Sequence, residues 1–252
     1  MIRLKTFYST IYDGPMSLDR KFYSSNMTDD EIRNDFTDRR LKFGKKEGFL
    51  GLKIITPKQK DKEIVKIDRE IVNSKLDLYD LNIEADILLM DDMILDTAIA
   101  YPVNDDPVLF LQDLRNGIVA TSLCNPEAIN KDIPKLMVET LYKEYGSNQY
   151  DLVAYIGPHA KNIFYDDIPD FVHEYGIWES ALDCRDFVCL NISEAIIKQL
   201  VNSGLDKDTI AVSLLDTIKN PVFYSTINVS KNNGVFYEGC FFNYEEEKKK
   251  IK

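Results

Sequence analysis

The sequence predicts a single α/β (α+β) domain in which mixed β-sheets are flanked by helices. Short apolar or alternating segments bounded by turn residues recur along the chain, a pattern typical of strands. Three longer segments carry the start and end signals of amphipathic helices. Residues 87–122 hold four strand candidates with no helix between them, so we expect largely antiparallel or mixed sheets rather than repeated β-α-β units.

The predicted strands are residues 63–67, 87–90, 96–103, 108–112, 118–122, 152–156, 187–190, 210–215 and 234–242. The predicted helices are residues 28–43, 127–145 and 193–203. Thr28 begins the first helix with a Thr-Asp-Asp capping signal. Pro134 either divides the second helix or marks its true first turn. Gly204 follows the third helix, where a left-handed residue commonly ends a helix.

Composition limits the domain count and the classes of partner. A chain of 252 residues with 44% hydrophobic side chains suits one large domain, which we place at residues 1–244, before a charged tail at residues 245–252. The net charge of −11 disfavours nucleic acid and anionic membranes as partners, and no Lys/Arg stripe offsets it. No segment has the length of a signal peptide core or a bilayer span, so we expect a soluble cytoplasmic protein. The four cysteines form no C-x-x-C pair and are expected to be reduced.

Several short motifs follow one another in the order of a known family pattern. Residues 8–14 read Y-S-T-I-Y-D-G, similar to F-S-T-R-x-G-G, and residues 85–91 read A-D-I-L-L-M-D, similar to A-D-A-L-V-T-D. Residues 103–110 read V-N-D-D-P-V-L-F, where the matching pattern is A-D-C-x-P-V-L-L, and I-G-P follows at 156–158. Together these motifs resemble the laccase-domain family, also called the multicopper polyphenol oxidoreductase or purine nucleoside phosphorylase family. The resemblance implies the laccase-domain, cytotoxic-necrotizing-factor-like fold.

The resemblance also implies where a metal would lie. In this family two histidines and one cysteine hold a zinc or copper ion, a ligand set that leaves a position open for activated water or phosphate. The matching positions here are Asp61, Asp105 and Leu123, so none of the three ligands is retained. We therefore expect no metal and no other cofactor.

The acidic residues at these positions allow other interpretations. Asp61 and Asp105 could hold a hard cation such as magnesium or calcium, but two carboxylates without further oxygen ligands make a weak site. Asp105 and Asp106 could act as a general acid and base, with one raised pKa. Alternatively, these two residues form only a turn between two strands, which Pro107 closes.

His159 and Cys124 are the remaining candidates near the implied site. His159 follows Gly157 and Pro158 and could be a ligand or a base, or a histidine on a surface loop. Cys124 lies one residue after the position of the second histidine, at a strand end. A catalytic thiol needs a basic partner, and the sequence identifies none, so a buried structural thiol is the default interpretation.

These observations favour a diverged, metal-free family member, a pseudoenzyme rather than an enzyme. Its cleft would bind a small molecule, such as a purine nucleoside, or a protein partner without the ancestral reaction. The alternative is a purine nucleoside phosphorylase or adenosine deaminase-type enzyme with a site rebuilt around Asp61, Asp105 and His159.

Overall fold

The computed structural model describes residues 2–48, 53–74, 82–95, 97–172, 175–183, 188–228, 230 and 234–244. Its strands are β1 Ile2–Tyr8, β2 Ile54–Lys58, β3 Ile64–Ile67, β4 Asn82–Glu84, β5 Ile87–Asp91, β6 Ala98–Val103, β7 Val108–Asp113, β8 Ile118–Leu123, β9 Leu152–Ile156, β10 Ile163–Tyr165, β11 Leu182–Asp183, β12 Val188–Leu190, β13 Ile210–Val212 and β14 Phe236–Tyr244. Its helices are α1 Asp29–Glu47, α2 Arg69–Asn73, α3 Pro126–Asn130, α4 Ile133–Tyr145, α5 Tyr175–Trp178 and α6 Ile192–Asn202.

Two larger sheets carry the fold, and both are mixed. The six-stranded sheet has the order β13-β9-β7-β8-β5-β3, with parallel pairs only at its two edges. The five-stranded sheet has the order β1-β14-β6-β2-β4, antiparallel on the β1 side and parallel on the β4 side. A small antiparallel sheet, β10-β12-β11, lies apart from them. The expected mixed α/β class is therefore confirmed.

Alternation along single strands explains how the two larger sheets stack. In β7, Leu109 and Leu111 pack with helices α3, α4 and α6, while Val108 and Phe110 pack against the five-stranded sheet. In β14, Tyr237 packs with α1 on the outer side of that sheet. Because successive strand residues point to opposite faces, the molecule has four layers: helices, six-stranded sheet, five-stranded sheet and α1.

Each predicted helix is found, with local adjustments. Helix α1 begins after Thr28, whose side chain accepts a hydrogen bond from the Glu31 amide in a capping box, and it runs past the predicted end to Gly48 in the left-handed conformation. The predicted helix 127–145 is divided into α3 and α4, with Pro134 in the first turn of α4. Gly204 follows α6 with φ 101°, as expected for a left-handed end.

All nine predicted strands overlap an observed strand, although residues 96 and 187 of two predictions lie outside the described residues. Five observed strands were not predicted: β1, β2, β4, β10 and β11. Charged residues interrupt β1, Pro57 interrupts β2, and the other three have only two or three residues. Such segments carry little apolar alternation to recognise.

In the described part of the chain no helix is long and apolar enough to cross a membrane. The predicted charged tail at residues 245–252 lies outside the described residues.

Candidate functional site

The three positions implied for metal ligands lie around one end of the six-stranded sheet. Asp105 is three residues before Val108, which pairs with Leu123 at the end of β8. Gln59 lies two residues before Asp61 and contacts this end of the sheet. Its Nε2 donates a hydrogen bond of 3.2 Å to the Leu123 carbonyl. The Oε1 atom of Gln59 accepts a hydrogen bond of 2.9 Å from Asn125 Nδ2. The motif order read from the sequence therefore corresponds to one region of the fold.

Asp61 takes little part in this region. Its side chain is 90% exposed, and its closest charged partner is Lys131, with 3.7 Å between Nζ and Oδ1. Ion pairs at such exposure contribute about 0–1 kcal/mol to stability. The backbone of Asp61 has φ 21°, which places it in the tight turn before β3. Asp61 is therefore a solvated turn residue in this structure.

Asp105 is buried, and other parts of the chain surround its carboxylate with donors. Oδ1 accepts a hydrogen bond from Thr217 Oγ1 over 2.8 Å. Oδ2 accepts three: from the Thr226 amide at 2.7 Å, from Thr226 Oγ1 at 2.9 Å and from the Ile227 amide at 3.2 Å. A buried carboxylate is stable when donors replace its lost water. Asp105 thus anchors residues 217–227 to the start of β7.

Asp106 differs from its neighbour although the two are adjacent in sequence. Burial, together with the charge of Asp105, raises the pKa of Asp106 from 3.8 to about 6. Asp106 can therefore exchange a proton near neutral pH. The sequence suggested that Asp105 and Asp106 act as an acid and a base. Because the Asp105 oxygens accept hydrogen bonds from four donors, only Asp106 remains a candidate for this role.

His159 is fully buried rather than located on a surface loop. Its Nδ1 lies 2.7 Å from the Gly157 carbonyl, so Nδ1 carries a proton and donates to that oxygen. Burial lowers the pKa of His159, which keeps the imidazole neutral. Its Nε2 has no hydrogen-bond partner among the described residues. The backbone of the next residue is tied to the site, since the Ala160 amide donates to the Asp105 carbonyl over 2.9 Å.

Cys124 is also fully buried. Burial raises the pKa of its thiol far above the ordinary value, and Sγ lies 3.9 Å from the Ser122 carbonyl. Among the described residues, the ionisable side chains that act on this thiol are the carboxyls of Asp106 and Glu238, which raise its pKa further and do not stabilise a thiolate. Cys124 therefore has the environment of a structural thiol rather than a nucleophile.

The sequence reading missed Glu238, which lies in the middle of β14. It shares its strand face with Phe236 and Cys240, so its carboxyl lies in the layer between the two large sheets. Burial raises the pKa of Glu238 well above its ordinary value. The nearby Val108 amide lowers the pKa slightly, but neither carboxyl oxygen forms a hydrogen bond with a described residue. The sequence did contain a signal for it, because Glu238 is a charged residue at a buried position of the predicted strand 234–242.

Glu238 also explains one glycine of the I-G-P motif. A Cβ added to Gly157 would lie 1.3 Å from Glu238 Oε1, far inside any allowed contact. The carboxyl of Glu238 therefore occupies the space beside the Gly157 backbone. The Gly157 carbonyl also accepts a hydrogen bond from His159 Nδ1, so this one residue contacts both the Glu238 carboxyl and His159, whose Nε2 has no partner among the described residues.

The donors at the three ligand positions do not fit a zinc or copper ion. Leu123 offers no side-chain ligand, the Asp105 oxygens are occupied by four donors, and the exposed Asp61 pairs with Lys131. Zinc and copper sites in proteins hold three or more imidazole, thiolate or carboxylate ligands around one point. Among the described residues, no group of three or more His, Cys, Asp or Glu side chains has an arrangement suited to a metal ion.

Comparison with known proteins accounts for this arrangement of motifs. The family model for multi-copper polyphenol oxidoreductase laccase matches residues 50–241. No curated protein matches the chain in sequence.

Solved structures share the fold. The Bacillus licheniformis hypothetical protein YfiH superposes with a TM-score of 0.74 at 17% identity, covering 94% of this chain and 92% of that chain. YlmD from Geobacillus stearothermophilus gives a TM-score of 0.74 at 17% identity, covering 96% and 92%. The Neisseria meningitidis protein NMB0706 gives 0.64 at 14% identity, covering 96% and 95%. The resemblance read from the motifs is confirmed, and the chain belongs to the multi-copper polyphenol oxidoreductase laccase family.

Proposed function

We propose that this chain is a family member that no longer carries out a metal-dependent reaction and instead acts as a binding protein for a small molecule or a protein partner. The observation that carries the proposal is the state of Asp105. A metal ion at Asp105 would compete with donors that already surround the carboxylate, because its two oxygens accept four hydrogen bonds from residues 217–227. Leu123 adds an apolar side chain where the family has a histidine.

The chemistry of the remaining side chains supports the same conclusion. An activated nucleophile needs a base or a lowered pKa, and burial instead raises the pKa of Cys124. The imidazole of His159 is buried and neutral, with Nδ1 held by the Gly157 carbonyl. Neither group is presented to a substrate in the way that metal-free acyl or glycosyl transfer requires.

One observation favours a second candidate, an enzyme that acts on purine nucleosides through a rebuilt site. Asp106 has a pKa of about 6, near the range in which a general acid or base works best. In that case Asp106, rather than Asp61, Asp105 or His159, would exchange the proton.

A turnover assay separates the two candidates. Adenosine and inosine are incubated with the purified protein, with and without inorganic phosphate, and free base and deaminated product are measured by chromatography. We expect both products at the rate of the protein-free control. Release of base or ammonia that Asp106→Asn abolishes, and that the exposed-residue control Asp167→Asn retains, would establish the enzyme and overturn the proposal.

A further inference from the structure

A cavity of about 520 Å³ lies on the outer side of the five-stranded sheet, between α1 and the loop at residues 11–14. Its volume is in the range of small-molecule sites in proteins, which span roughly 300–1,000 Å³. Helix α1 packs against the face of the five-stranded sheet that points away from the six-stranded sheet. Neither Asp105 nor Leu123 lines the cavity, so a ligand in it would go beyond the function proposed above.

Three cations from one helix face line this cavity. Arg39, Lys42 and Lys46 follow one another at spacings of three and four residues, which places them on the same side of α1. Carboxylates of the helix and of the loop lie among these cations, namely Asp35 and Asp13.

The opposite wall is a fixed turn. Asp13 Oδ2 accepts hydrogen bonds from the Thr10 amide at 2.9 Å and from Thr10 Oγ1 at 3.0 Å, which holds the turn in place. Gly14 follows with φ 79°, a conformation that favours glycine. The Arg39 guanidinium packs against Gly14, because a Cβ there would lie 2.7 Å from Nη1. The cavity wall is thus set by backbone geometry as well as by side chains.

Carboxylates accompany two of the three lining cations. The Lys46 ammonium lies 3.2 Å from the Asp13 carboxylate and 3.9 Å from that of Glu47, and the Arg39 guanidinium pairs with Asp35. Lys42 forms no ion pair with another described residue. Its ammonium is therefore the lining cation that can pair with the anionic group of a ligand, even though the whole chain has a net charge of −11.

An aromatic ring completes the lining. Tyr12 lies at the cavity edge with 83% of its surface exposed. An exposed tyrosine ring beside cationic groups provides a flat apolar surface on which another ring can stack. We propose that this cavity binds a small molecule in which a flat ring carries one anionic group, a phosphate or a carboxylate. The anion pairs with Lys42, and the ring stacks on Tyr12.

Calorimetric titration of the full chain with phenyl phosphate, benzoate and inorganic phosphate tests the proposal. We expect phenyl phosphate or benzoate to bind with a Kd below about 1 mM, and inorganic phosphate to bind more weakly because it lacks the ring. The stronger of the two ring compounds identifies the anionic group. Lys42→Gln and Tyr12→Ala should each weaken binding about tenfold. Both side chains are on the surface, so both variants should fold, which circular dichroism verifies.

Lys45→Gln is the matched control, because Lys45 is exposed on the same helix but does not line the cavity. Binding to this variant should equal binding to the unchanged protein. The proposal is overturned if neither ring compound binds, if Lys42→Gln and Lys45→Gln bind equally well, or if inorganic phosphate binds as tightly as phenyl phosphate. None of these results depends on nucleoside turnover, so the test stands apart from the test of the proposed function.

Discussion

Asp105 and Glu238 are two buried carboxyl groups that the fold accommodates in opposite ways. Asp105 accepts four hydrogen bonds from residues 217–227, whereas Glu238 has no hydrogen-bond partner among the described residues. Around the first, donors replace the hydration shell that burial removes. The second avoids the cost of a buried charge by a raised pKa, which keeps it protonated. Burial alone therefore does not reveal the role of an acidic residue, because the number of donors decides it.

The largest expected effect follows from the donors around Asp105. In Asp105→Asn, one carboxylate oxygen becomes an amide nitrogen, so at least one of the four donors loses its acceptor. We expect a loss of about 3 kcal/mol in the free energy of unfolding, measured by urea denaturation. The exposed Asp167→Asn serves as the control and should change stability by less than about 0.5 kcal/mol. Equal stability of Asp105→Asn and Asp167→Asn would mean that the hydrogen bonds to Asp105 do not stabilise the fold.

A second substitution tests where the Glu238 carboxyl lies. Gly157→Ala places a methyl group where the Glu238 carboxyl lies, so we expect a loss of about 2 kcal/mol from overpacking. Adding Glu238→Ala to this variant should recover part of the loss, because the carboxyl no longer competes for the space. A double-mutant cycle by urea denaturation measures the coupling. Additive effects would mean that the carboxyl does not occupy that position.

The pH dependence of stability should distinguish Glu238 directly. Folding raises its pKa above the ordinary 4.5, so its contribution is complete below pH 4.5 and is lost as the pH rises toward the folded pKa. Compared with Glu238→Gln, the unchanged protein should lose about 1.4 kcal/mol per pH unit over that window. Unfolding curves between pH 4 and pH 8 provide the comparison. The exposed Glu144→Gln should follow the unchanged protein, and parallel curves for all three would contradict the assignment.

The sequence predicted the fold where local patterns are strong. Apolar alternation located β5 to β9 and β14, and capping residues such as Thr28 and Gly204 located the helix ends. It failed for β1, where charged residues follow the apolar ones, because pairing with β14 rather than its own pattern makes it a strand. Tertiary pairing overrides weak local preference in such segments.

The site was only partly predictable, for a related reason. Of the three positions taken from the motifs, Asp105 and Leu123 lie at one end of the sheet, whereas Asp61 is exposed and only Gln59, two residues earlier, contacts Leu123. The role of Asp105 was not visible, since its donors come from residues 112 to 122 positions later in the chain. The burial of His159 was likewise missed, because its surroundings form only when β9 packs beside residues 216–217.

Zinc binding tests the central claim most directly, namely that Asp105 anchors a loop and does not hold a metal. The purified protein is dialysed against a chelator, titrated with zinc and then with copper at neutral pH by calorimetry, and checked by elemental analysis. We predict well under one tightly bound ion per chain, and no difference between the unchanged protein and Asp61→Asn. One zinc or copper ion per chain, weakened by Asp61→Asn and Asp105→Asn but not by Asp167→Asn in folded protein, would contradict the account.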